Sequence, residues 1–128
     1  MEAEMKFTIR GRLPGLNEYI DAERACRYKG AEMKKKYETV VMHAARSLGK
    51  WRPEGSVFMV YHWYEKDRRR DKDNVSGFGR KVIQDALVKA KILKNDGWKD
   101  IDGFSDKWYV DPKNPRVVVE ILEVDEDG

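Results

Sequence analysis

Apolar and polar residues alternate loosely from Met5 to Leu13, with Phe7, Ile9 and Leu13 set against Thr8, Arg10 and Arg12. A period of two is that of a half-buried strand, and Pro14-Gly15 closes it. Residues 17–30 are polar, show no clear period and carry Arg24, Arg27 and Lys29 around Gly30. From Ala31 to Leu48 the period changes. Met33, Tyr37, Val40, Val41, Ala44, Ala45 and Leu48 recur at steps of three and four. That spacing predicts a helix, with Gly49 as its C-terminal cap. Val57 to Tyr64 is rich in β-branched and aromatic residues and reads as a buried strand.

A second helical stripe follows a charged run, on Val75, Phe78, Val82, Ala86 and Ala90, widened by Ile83 and Leu87. Asp73 or Asn74 is suited to be its N-cap. Gly77 and Gly79 each weaken a helix by about 1 kcal/mol relative to alanine, which moves the expected regular start toward Arg80. Lys94-Asn-Asp-Gly97 reads as a turn, and strands follow around Phe104–Val110 and Val117–Val124, separated by Asp111-Pro-Lys-Asn-Pro115. The order β-α-β-α-β-β predicts an α+β domain, a small mixed sheet with two main helices packed on it. At 128 residues the chain fits one domain, expected over 1–122, with an acidic tail at 123–128.

Charge sharpens this picture. The net charge is +3, but residues 120–128 hold five acids and no base, which leaves +8 on residues 1–119. A basic body suits a polyanionic partner, while a solvated terminus accounts for the tail equally well. Cys26 is alone, so neither a disulfide framework nor a cysteine zinc site is expected, and His43 and His62 form no helical pair. No apolar run approaches a membrane span and no signal-peptide pattern opens the chain, so no membrane partner is expected and the cytoplasm is the expected location.

Three aspartates, Asp71, Asp73 and Asp96, bracket the second helix, inside a window where seven Lys or Arg lie between Lys66 and Lys81. Carboxylates within a basic surface suit a divalent cation held against a polyanion, because Mg²⁺ takes hard oxygen ligands and nucleic acid needs its phosphates neutralised. Asp71 and Asp73 would project to one side of an extended approach to the helix, and Asp96 reaches them only if the chain folds back. Capping by Asp73 and solvation of Asp71 are the plain alternatives. Lys81 stands one turn before Asp85, placed either for an ion pair or to face a phosphate. Gly77-Phe-Gly79-Arg-Lys81 lacks the spacing of a phosphate loop. Among the tryptophans, Trp63 and Trp108 fall in predicted strands and suit the core, whereas Trp98 follows Asp96 in a turn.

Arg70-Asp-Lys-Asp-Asn74, then Lys81-x-x-x-Asp85-Ala-Leu87, then Asn95-Asp96, resembles the RusA family of Holliday-junction resolvases, and Pro14-Gly-Leu-Asn17 is similar to that family's N-terminal Pro-x-x-Asn signature. The resemblance implies that Asp71, Asp73 and Asp96 are metal-binding catalytic aspartates and Lys81 the catalytic lysine. It implies a Mg²⁺- or Mn²⁺-dependent homodimer that resolves four-way DNA junctions by paired nicks, in recombination or repair. Arg68, Arg69, Arg70 and Lys72 would then meet backbone phosphates. Two departures stand out: the interval from Asp73 to Asp85 is about one helical turn longer than the pattern, and Asn95 replaces the first acid of the terminal pair. A rival from another class is a non-catalytic branched-DNA-binding module on the same fold.

Overall fold

The computed structural model describes residues 4–124. Strand β1 (Glu4–Arg10) leads into α1 (Leu16–Ala25) and α2 (Arg27–Ala44), which ends in a 3-10 turn at Ala45–Leu48. Then come β2 (Val57–Glu65), α3 (Lys72–Lys89), β3 (Ile101–Val110) and β4 (Arg116–Glu123). The α+β class, the mixed sheet and the two long helices agree with the sequence pattern. Helix α1 is an addition to it. None of its residues is fully buried, so its apolar stripe is short: Tyr19 packs its ring 4.8 Å from that of Phe78. Cys26, in extended conformation, separates α1 from α2, which begins four residues earlier than its stripe implied.

The sheet order is β1-β4-β2-β3, with β2 and β3 parallel and the other neighbours antiparallel. The parallel pair requires a crossover, and α3 supplies it. β4 lies between β1 and β2 and does not pair with β3. One face carries Phe7, Ile9, Met59, Tyr61, Trp63 and Val119, all buried in a core shared with the helices. The other face presents Phe58, His62, Tyr64, Val118 and Leu122, which are half-buried. Trp63 lies in the core and Trp108 packs at its margin. Glu123 belongs to β4, so the strand takes in the first residue assigned to the acidic tail; Asp125 to Gly128 lie outside the described residues.

Helix α3 starts at Lys72, with Asp71 as N-cap, and neither Asp73 nor Asn74 has that role. Its two glycines do not delay the start, because packing outweighs their propensity. A Cβ on Gly79 would lie 2.7 Å from the Trp63 ring, so the missing side chain lets the helix sit on the sheet's largest core residue. On the same side, the Trp63 indole N–H donates to Asp106 on β3 at 2.9 Å, and Asp106 also pairs with Arg80 of α3. The helix is thus fastened across β2 and β3 along its length.

Candidate functional site

The N-terminus of α3 opens into a cleft of about 1100 Å³, bounded by the β2–α3 loop and the end of β3. Asp71 (the N-cap, φ −63° and ψ 148°) and Asp73 (in the first turn) are exposed and line it together. Carboxylates are favoured here because the helix dipole is positive at this end. The start of the helix, with Asp71 still extended and Asp73 in the first turn, sets both on this cleft. Arg68 and Lys72 line the same cleft, as do Trp108 and Tyr109. Arg69 extends into solvent, its side chain 89 % exposed and its Nε 3.8 Å from Asp67.

Arg70 departs from its expected phosphate-facing position. Its Nε and Nη2 donate to the two carboxylate oxygens of Glu65 at 2.9 and 2.8 Å, and its Nη1 donates to the Leu13 carbonyl at 2.9 Å. Its side chain is only 11 % exposed. This planar fork ties the β2–α3 loop to the turn after β1. Arg70 shapes the cleft wall, leaving Arg68, Arg69 and Lys72 as the outward cations of the group.

The two ends of the sequence signature meet in space. Asn74 Oδ1 accepts a hydrogen bond of 2.8 Å from the backbone N–H of Asn17, 57 residues away. A Cβ on Gly15 would come within 2.5 Å of the Asn74 amide, so only glycine leaves room for that side chain. Pro14-Gly-Leu-Asn17 is therefore the docking partner of Asp71-x-Asp-Asn74, and Asn74 is occupied in holding α1 against α3.

Lys81 and Asp96 belong to a second cluster. Lys81 Nζ is 3.2 Å from Asp85 and 3.6 Å from Asp96, so the chain does fold back after α3. Asp85 receives a shorter contact, 2.8 Å, from Lys34 on α2. Burial opposes ionisation of Asp85, but hydrogen bonds from Lys34 and Lys81 outweigh it and hold its pKa below the ordinary value. The hydrogen bond to Asp85 in turn raises the Lys34 pKa, against the opposing effect of burial. The alternation continues through Glu38, which is buried, 3.9 Å from Lys34 and 2.5 Å from Lys89. Six side chains of alternating sign thus run from Lys89 to Asp96. On α2, Lys34 belongs to the run Lys34-Lys35-Lys36, which the sequence suits to solvation or phosphate contact, and its pairing with Asp85 and Glu38 is a tertiary outcome.

Asp73 and Lys81 are eight residues apart, roughly 12 Å along the helix. The structure therefore sets Asp71 and Asp73 on one cleft and Asp96 beside Lys81, and the three aspartates form no common metal-holding group. Among the described residues no group of three or more His, Cys, Asp or Glu side chains is placed to hold a metal ion. The donor set in the cleft nevertheless fits Mg²⁺, which is commonly held by one or two carboxylates with water and substrate phosphates. Asp71 and Asp73 are the residues that would hold it. No protein-family model matches the chain, and no curated protein matches its sequence.

Proposed function

We propose that this chain is a Mg²⁺- or Mn²⁺-dependent endodeoxyribonuclease that resolves four-way DNA junctions. The observation that carries the reading is the exposed Asp71/Asp73 pair at the α3 N-terminus, in a cleft lined by Arg68 and Lys72 with Arg69 beside it. The order of motifs resembling the RusA family supports it. Arg68, Arg69 and Lys72 neutralise backbone phosphates and position the duplex without reading its sequence. Asp71 and Asp73 hold the metal, which when bound supplies an activated water and stabilises charge on the phosphodiester. Lys81, 62 % exposed, presents its ammonium to the strand, where it offsets charge on phosphate oxygens. Asp85 and Asp96 orient that ammonium from two sides. Paired nicks across a junction need two sites related by symmetry, so the active species is a homodimer.

A labelled mobile junction and the matching linear duplex, each with Mg²⁺ and with chelator, test the reading. Symmetric nicks in the junction alone, lost with chelator, are expected. Asp73→Asn is expected to abolish cleavage while junction binding persists; loss of both in a folded variant would count against a purely catalytic role. One observation favours a second reading, a binding module without chemistry: Asp96 is engaged by Lys81, which stands some two helical turns along α3 from Asp73. Tight junction binding with no cleavage in either metal would decide for that module. Cutting of both substrates would keep the metal nuclease and remove the selectivity for junctions.

A further inference from the structure

Trp98 is fully exposed, at 100 % of its accessible surface. That is unusual for the largest apolar side chain, which is highly buried on average. The segment around it is well tied: Asp96 N–H bonds to the Asn95 side chain at 2.8 Å, and the N–H groups of Asp100 and Ile101 both reach the Gly97 carbonyl, at 3.1 and 3.0 Å. Asp96, two residues earlier, is fixed to Lys81 on α3. The indole is therefore held out in water by a turn anchored to the candidate site.

The segment that carries it also contributes to a basic cleft. Lys94, four residues before it, and Lys99, next to it, line a second cleft of about 400 Å³ together with Arg52 and Lys91. Glu54 and Asp100 are the only acids in that lining, so cations outnumber them by two. Arg52 is bound to the Gly49, Trp51 and Lys91 carbonyls and is structural. Lys91, Lys94 and Lys99 are exposed, and among the described residues no ion pair joins any of them to an acid. A flat aromatic face next in sequence to unneutralised ammonium groups complements a base with its adjoining phosphates: the ring stacks on the base while the cations hold the backbone.

We propose that Trp98 is a stacking post for a DNA base left unstacked at the branch of a junction, with Lys94 and Lys99 holding the flanking phosphates. This rests on the junction-nuclease reading and adds to it a residue for branch recognition. Trp98 touches no core residue, so its replacement leaves the fold intact, and circular dichroism with thermal unfolding checks that.

Binding of the full chain to a labelled four-way junction and to its linear duplex, in chelator, tests the proposal for wild type, Trp98→Ala and Trp98→Phe. The expected result is about tenfold weaker junction binding for Trp98→Ala, partial recovery in Trp98→Phe, and little change on the duplex. Junction binding should also quench tryptophan fluorescence in the wild type and much less in Trp98→Phe. Unchanged junction affinity and unchanged quenching in the variants, with wild type binding and cutting normally, would overturn the stacking role and leave the nuclease standing. A variant that alters only the oligomeric state would overturn it too, and would assign the indole to a protein contact. Wild type that binds no junction would remove both readings together.

Discussion

At the scale of single residues, the Lys34–Asp85 contact has a titration of definite sign on both sides. Asp85 has a lowered pKa in the fold, so its stabilisation is present above its ordinary value near 3.8 and disappears as the pH falls through the lowered one. Lys34 has a raised pKa, so its contribution is present below its ordinary value near 10.5 and is lost as the pH rises through the raised one. The pair is at full strength between those limits. Lys34→Ala is expected to cost about 1–2 kcal/mol at pH 7, since it leaves a partly buried carboxylate with only the more exposed Lys81. Urea unfolding should show that deficit shrinking as Asp85 protonates in acid. An equal deficit at neutral and strongly acid pH would mean that lost packing, not charge, sets the cost.

At the scale of elements, α3 shows how local preference yields to packing. Its stripe from Val75 to Ala90 was legible because burial on one face imposes the helical period on the sequence. Its start was not. Two glycines weaken the first turns locally, yet Gly79 is required by Trp63 from the adjoining strand. Gly79→Ala raises helix propensity by about 1 kcal/mol but pushes a methyl group against a buried ring. Because Trp63 is 1 % exposed and has little room to move, the clash is expected to prevail, with a net loss of about 1–2 kcal/mol and a lower thermal midpoint. A raised midpoint would show that the ring moves aside. Helix α1 was missed for the converse reason: with no fully buried residue, it leaves little periodic trace.

At the scale of the whole molecule, the basic run after β2 divides into two kinds of arginine. Arg69, 89 % exposed, belongs to the electrostatic surface, whereas Arg70 braces two segments far apart in the chain. Arg69→Ala is expected to leave the thermal midpoint unchanged, weaken junction binding severalfold and reduce the salt slope of binding by about one. Arg70→Ala removes one partner of a nearly buried pair and should lose about 2–4 kcal/mol of stability, read from urea unfolding. Equal stability of the two variants would contradict this division. Adjacent residues of the same type thus differ by what the rest of the fold brings to them.

The sequence by itself determined the strands and the two long helices, because burying one face imposes a period of two or of 3.6 on apolar positions. It also placed Lys81 one helical turn from Asp85, within reach of the ion pair that the structure shows. Only the tertiary structure decided that Asn17 meets Asn74, that Lys34 meets Asp85, that Arg70 turns inward, and that Asp96 lies beside Lys81 and not with Asp71 and Asp73. Those placements depend on where the sheet order and the helix packing carry distant segments, and no local period records that distance.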